Sequence, residues 1–168
     1  ICRHLLDVLG IVIGGYVVSI GEIYANLDGL TYQDRFVRAE ENDVRCPDES
    51  TTQAMRDRIF QVMQNRDTLG GTIEVVALGV PVGLGSHVHW ERRLEARLGM
   101  AMLSVPAIKG VEIGPAFENS RMQGTSVHDA LQLDESGRII RPTNRSGGTE
   151  GGISTGQPIV VRVAMKPI

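Results

Sequence analysis

The sequence predicts one domain that mixes helices and strands, of the α/β or α+β class. Segments with apolar residues at helical spacing alternate with short apolar runs of strand length. Glycine flanks most of those runs, so the strands could pair in either direction. The length, 168 residues, suits one domain with a real core, or one piece of a larger one.

Residues 1–9 read as the last turns of a helix, closed by Gly10 as a C-terminal cap. Residues 11–20 form a β-rich segment, whose Gly14-Gly15 pair predicts a bulge or close packing. The span 22–49 is polar, with a short helix over 31–39. Ser50 is the expected cap of the next helix, with Gln53 three residues on completing a capping box. Met55, Ile59, Val62 and Met63 then repeat at helical spacing and predict one buried face. Gly70-Gly71 ends that unit. Residues 72–80 are apolar on both faces, as in an interior strand, and Pro81 stops it because proline cannot donate to a ladder. A glycine-punctuated loop over 79–90 leads into a helix over 91–104, with Leu94, Leu98, Ala101 and Met102 facing inward. Pro106 interrupts, and 108–113 is another strand. Residues 117–140 are polar and loop-like, with turn chemistry at Asp134-Glu135-Ser136-Gly137.

The last segment is the most informative. Five of the ten residues from Gly147 to Gly156 are glycine, and the run enters a strand over 159–165 directly. Glycine loses more backbone freedom on ordering than any other residue. A dense cluster docked on a strand therefore reads as a binding loop where main chain approaches a ligand, against the plainer reading of a long hairpin connection.

Composition excludes several classes. Hydrophobic content of 42% and charged content of 22% are those of an ordinary soluble domain. A net charge of −3 offers no basic field for nucleic acid, and no apolar run reaches the length that crosses a bilayer. Cys2 and Cys46 form no metal pattern and read as reduced thiols of a cytosolic protein. His87 and His89 share a face if extended, and Glu91 is available as a third ligand, but no Cys or His cluster supports a metal site, and an exposed loop or a subunit contact around Trp90 is the plainer reading. Gly83-Leu84-Gly85 is followed by Val88 where a dinucleotide fingerprint needs its third glycine, and no phosphate-loop motif is present. Lys109 and Arg162 lie within apolar strands, as outward surface charges or as anion ligands. His128-Asp129 reads as a solvated loop rather than an acid–base pair.

Four ordered stretches resemble chorismate synthases. They are the loop from Gly79 to Trp90 with the helix after it, Pro106-Ala107-Ile108-Lys109-Gly110-Val111-Glu112-Ile113-Gly114, Asn144-Arg145-Ser146-Gly147-Gly148-Thr149-Glu150-Gly151-Gly152, and Gly156-Gln157-Pro158-Ile159 running on to Met165-Lys166-Pro167. The resemblance covers nearly the whole chain, most loosely over 22–44. It implies an α+β fold, the β-α-β sandwich of that family, of which residues 1–168 are an internal part of a single domain. It implies a cytoplasmic homotetramer that eliminates phosphate from 5-enolpyruvylshikimate 3-phosphate to give chorismate. The cofactor implied is reduced FMN, with NADPH a candidate reductant. Flavin contacts carried over are Pro106, Ala107, Gly151, Lys166, Pro167 and Ile168. No catalytic residue and no metal ligand carries over, and neither nucleic acid nor membrane is an expected partner.

Family members are about twice as long, and their two catalytic histidines lie in a more N-terminal part. A first residue other than Met, and an end at Lys166-Pro167-Ile168, also point to an excised piece, inactive alone. Pro106 departs from the polar residue usual there, so its contact would be through main chain. Gly114-Pro115-Ala116-Phe117 replaces a more glycine-rich turn, and Pro115 stiffens it. Two other classes stay open: a flavin- or phosphate-binding module without chemistry, and a structural or interaction domain whose glycine loops are mere connections.

Overall fold

A computed structural model describes all residues, 1–168. The helices are α1 Cys2–Val8, α2 Tyr32–Glu40, α3 Glu49–Gln64, α4 Leu94–Leu103, α5 Ala116–Asn119 and α6 Gly124–Val127. The strands are β1 Val12–Ile20, β2 Ile23–Tyr24, β3 Gly71–Leu78, β4 Ile108–Ile113, β5 Gln132–Leu133, β6 Ile139–Ile140, β7 Thr149–Glu150, β8 Ile153–Ser154 and β9 Ile159–Met165. Five strands form a sheet in the order β2-β1-β3-β9-β4, and β5-β6 and β7-β8 are separate two-stranded pairs. β3 is an interior strand, as its two apolar faces predict. The chain divides into two compact units. One comprises residues 1–13, 77–101 and 112–161; the other comprises residues 14–76, 102–111 and 162–168.

In the second unit, the helix starts are set by short polar side chains. Thr31 caps α2 in a full capping box: Asp34 N–H donates to Thr31 Oγ1 at 3.2 Å, and Thr31 N–H donates to Asp34 Oδ2 at 3.1 Å. The cap of α3 is Asp48, not Ser50. Asp48 Oδ1 accepts from the Ser50 N–H and the Ser50 hydroxyl at 3.0 and 2.7 Å. A carboxylate also favours the positive end of the helix dipole, which a hydroxyl does not. Gln53, freed from capping, donates to Asp57 one turn on. On α3, Met55 and Val62 are buried, Ile59 is half-buried, and Met63 is exposed, so the apolar face is narrower than its spacing predicts.

The core of this unit holds Tyr16, Met55, Val76, Cys46 and Ala39. Among them lies Glu74, a charge at only 3% exposure in the middle of β3. Such a carboxylate is tolerable only when paired and hydrogen-bonded. Arg162 donates to Glu74 Oε2 from Nε at 3.0 Å and from Nη2 at 2.6 Å, and the Tyr16 hydroxyl donates to Oε1. Arg35 Nη1 donates to the Tyr16 oxygen at 2.9 Å and lies 3.7 Å from Oε1. The remaining Arg35 donors reach the carbonyls of Leu30 and Leu27, both at 3.1 Å. Arg162 is thus neither an outward surface charge nor a free anion ligand. Burial, with Glu74 beside it, holds the Tyr16 phenol well above its ordinary pKa, so it remains a donor. Gly14 lies under the Phe36 ring, where a Cβ would collide with it, whereas a Cβ on Gly15 would make only ordinary contacts; close packing is thus the role of Gly14.

In the first unit, α1 is capped at Leu9 and followed by Gly10 at φ +75°, as the sequence predicts. Ile11, Val80 and the 159–161 segment of β9 are buried. The helix predicted over 91–104 starts later, at Leu94, after a 3₁₀ turn at Trp90–Arg92. Of its expected inner face, Leu94 and Leu98 are half-buried and Ala101 is exposed. The span 117–140 is not all loop: it holds most of α5, α6 and the β5-β6 hairpin. Asp134 Oδ1 closes that hairpin by accepting from the Ser136 and Arg138 N–H groups, both at 2.9 Å.

Replacing Glu74 by Ala should destabilise the fold by about 3–5 kcal/mol, because two guanidinium groups lose a buried counter-charge. Tyr16→Phe, which removes one donor, should cost about 1–2 kcal/mol. Urea unfolding of the full-length protein measures both. A Glu74→Ala loss below that of Tyr16→Phe would refute the assignment of Glu74 as the hub.

Candidate functional site

The glycine cluster is ordered, and it carries a hairpin. β7 and β8 pair antiparallel, with Thr149 opposite Ser154 and Glu150 opposite Ile153. Gly151 and Gly152 make the two-residue turn at φ +60° and +95°. Positive φ at both central positions is what a type I′ hairpin turn requires.

The two glycine-rich loops of the sequence are fastened to each other. Gly83 N–H donates to the Ser154 carbonyl at 2.9 Å, and Ser154 N–H returns to the Leu84 carbonyl at 2.9 Å. The Gly152 carbonyl accepts from Ser86 N–H at 3.2 Å and from Leu94 N–H, at the start of α4, at 2.8 Å. Ser154, buried at 1% exposure, donates its hydroxyl to the Pro81 carbonyl at 2.5 Å and accepts from Leu84 N–H at 2.9 Å. Backbone contacts this close leave no room for side chains. A Cβ on Gly147 would strike the main chain of Gly114, and one on Gly148 that of Pro158 and Ile159. A Cβ on Gly152 would strike the Ser86 carbonyl. These glycines serve internal packing. Gly151 differs: nothing lies within 4 Å of where its Cβ would stand, and it is exposed. It presents bare main chain outward.

The base of the loop is held by Asp129, which is buried at 6% exposure and not solvated as expected. Its Oδ1 accepts from the Thr143 hydroxyl at 2.6 Å and from Arg145 N–H at 2.7 Å. Its Oδ2 accepts from Ser146 N–H and the Ser146 hydroxyl, both at 2.8 Å. Burial pushes the carboxyl pKa up, but these four donors outweigh it and hold it down at about 2. Asn144 adds a second tie, donating to the Pro158 carbonyl and accepting from Gly148 N–H, both at 2.8 Å.

The other expected contacts lie in the second unit. Lys166 N–H donates to the Ala107 carbonyl at 3.0 Å, which brings the 106–107 and 166–168 stretches together. Ala107 has φ +68°, a left-handed conformation that costs a non-glycine residue energy and is most often retained where function needs it. Pro106 is exposed. The Lys166 ammonium is exposed and donates only to the neighbouring Pro167 carbonyl, at 2.9 Å. Thr68 Oγ1 donates to the Ile168 carbonyl at 2.8 Å and steadies that end of the stretch. Gly151 belongs to the first unit. His87, His89 and Lys109 are exposed, and no group of three or more His, Cys, Asp or Glu is placed to hold a metal ion.

Sequence patterning missed Asp129 and Ser154 because their partners lie 14–17 and 70–73 residues away. The only signal available was a short polar side chain beside a segment rich in glycine.

Asp129 has a pH signature. Its folded pKa of about 2 lies below its ordinary 3.8, so its contribution to stability is complete above pH ~4 and is lost as pH falls towards 2. Asp129→Asn should be less stable than wild type at pH 7, with the gap closing through that acid window. Unfolding free energies at pH 7, 4 and 2.5 check this; a gap independent of pH would refute it.

A family model for chorismate synthase matches residues 1–168. A chorismate synthase from Brevibacillus brevis is 46% identical over 168 residues, covering 100% of this chain and 43% of that protein. One from Saccharopolyspora erythraea is 45% identical over 170 residues, covering 100% of this chain and 42% of that protein. A crystal structure of chorismate synthase superposes with a TM-score of 0.92 at 44% identity, covering 99% of this chain and 52% of that one. The chain thus spans less than half the length of these curated relatives, and its mixed helix-and-sheet fold is that of the chorismate synthase crystal structure over the span they share. With its whole length matched and nearly half its residues identical, the chain belongs to the chorismate synthase family.

Proposed function

We propose that residues 1–168 are an internal part of a single chorismate synthase domain. The full-length enzyme would eliminate phosphate from 5-enolpyruvylshikimate 3-phosphate, giving chorismate on the route to the aromatic amino acids. The observation that carries this is the unbroken family match from residue 1 to 168.

The residues present suit a flavin. Gly151 offers main chain with no side chain in the way, as close approach to a flat ring needs. Lys166 offers an exposed ammonium whose present acceptor is a single backbone carbonyl, easily exchanged for phosphate. Ala107 is held in a sparsely populated conformation, as at other ligand-facing positions. In this reading Pro106 and Ala107 of the second unit contact a flavin through main chain and Lys166, Pro167 and Ile168 receive its phosphate end, while Gly151 is a flavin contact offered by the first unit.

Reduced FMN, when bound, lends electron density that eases departure of the allylic phosphate. The role of this chain is to bind and orient it, and to keep water from the ring. Proton transfer falls to histidines of the family's N-terminal part, so no residue here is assigned a catalytic role. We further propose a cytoplasmic homotetramer, with NADPH as reductant where the enzyme reduces its own flavin. No helix is long and apolar enough to cross a membrane.

In the full-length enzyme, Gly151→Val should raise the FMN Kd by about tenfold or more, since a β-branched residue both opposes positive φ and fills the approach. Fluorescence-quenching titration reads this, and an unchanged Kd would defeat the flavin assignment. The isolated 168-residue chain should give no chorismate with reduced FMN in a steady-state assay. Micromolar FMN binding by that chain alone would favour a self-sufficient binding module instead.

A further inference from the structure

One arginine joins the base of the glycine loop to its tip. Arg141 Nη1 donates to the Asp129 carbonyl at 2.9 Å, and Arg141 Nη2 lies 3.0 Å from Glu150 Oε2. Glu150 adjoins Gly151. The Arg141 carbonyl in turn accepts from Gln157 Nε2 at 2.8 Å, at the far end of the loop. The Arg141 side chain is only 17% exposed, so these bonds are largely shielded from water. Asp129 meanwhile holds Thr143, Arg145 and Ser146 at the near end.

A loop with five glycines in ten residues has much conformational entropy to lose. If it were ordered only on binding, that loss would be subtracted from affinity. β7 and β8 are two residues each, too short to hold the shape by their own ladder.

We propose that Asp129 and Arg141 are positioning residues for the cofactor contact at Gly151. They act through the 144–156 loop, holding it in its binding shape before a ligand arrives. This rests on the flavin reading above. Arg141 is suited because a rigid fork can hold a carbonyl with one nitrogen and a carboxylate with another, which a lysine cannot do with fixed geometry. Glu150, at 46% exposure, is the softest of the linked groups, so removing its charge should loosen the tip without disturbing the core.

The test uses the full-length enzyme with FMN as probe, and Asp129→Asn, Arg141→Lys and Glu150→Gln as variants. Without flavin, amide hydrogen exchange across 144–156 should quicken in each variant, while the thermal midpoints of Arg141→Lys and Glu150→Gln stay within a few degrees of wild type. The FMN Kd should rise about tenfold in Asp129→Asn and Arg141→Lys, and a few-fold in Glu150→Gln. Combining Asp129→Asn with Gly151→Val should weaken binding no further than Gly151→Val alone, because both act through one contact. Faster exchange with unchanged Kd, or full additivity with Gly151→Val, would overturn the proposal. If Asp129→Asn does not fold, Arg141→Lys and Glu150→Gln decide the matter in its place, with Arg141→Lys combined with Gly151→Val. A wild-type enzyme that does not bind FMN, or a Gly151→Val variant that binds it as wild type does, would remove the flavin reading and this proposal with it. An unchanged Kd in the positioning variants beside a weakened Gly151→Val removes the positioning role alone.

Discussion

Main chain packed directly on main chain is the constraint on which the candidate site depends. At Gly147 against Gly114, at Gly148 against Pro158 and Ile159, and at Gly152 against Ser86, the backbones approach so closely that a single added carbon would collide. Such contacts admit only glycine, and they bring hydrogen-bonding groups near enough to fasten residues 83–86 to residues 152–154. Most of the glycine cluster is therefore consumed by the protein's own packing. Gly156 is exposed and would meet only a Val82 side chain, and Gly151, at the turn of the hairpin, has open space where its Cβ would stand. Rigidity and exposure in the loop thus have one source: the neighbours of Gly151 are fixed so that Gly151 itself can be bare.

Each unit also buries one carboxylate, and the two are stabilised by opposite means. Glu74 is surrounded by charge, with the Arg162 fork on one oxygen and Tyr16 and Arg35 at the other. Asp129 is surrounded by uncharged donors, two main-chain N–H groups and two hydroxyls. A guanidinium pair ties long side chains from separate elements, here α2 and β9 to β3, and so organises a core. A set of backbone donors instead fixes the path of a few consecutive residues, and so shapes a loop. The first arrangement explains why two arginines point inward in an otherwise apolar region. The second explains why a short acidic side chain beside a glycine-rich segment matters more than its place in a polar stretch would indicate.

Local signals in the sequence were legible where the controlling force is itself local. The strand over 159–165, the strand over 108–113, the short helix over 31–39 and the Gly10 terminus match the structure because propensity, capping and proline chemistry act within a few residues. The start of α3 was displaced by two residues because Asp48 competes for the same N–H groups and, being charged, prevails. The inner face of α4 was overestimated, since periodicity says which residues share a face but not whether anything covers it. Likewise, the short elements between 116 and 140 escaped notice because four-residue helices and two-residue strands carry almost no periodic signal.

By itself the sequence determined the mixed class, the long strands and two of the long helices, and the family. All of these follow from chemistry carried by neighbouring residues or from an ordered set of motifs. Only the tertiary structure decided which glycines are spent on main-chain packing and that Gly151 faces open space. It alone showed that Arg162 turns in to Glu74 and that Asp129 and Arg141 hold the loop. Those outcomes depend on pairings across 12 to 88 residues of chain, and the energy of such a pairing is set by burial and distance in space, which the order of residues does not state.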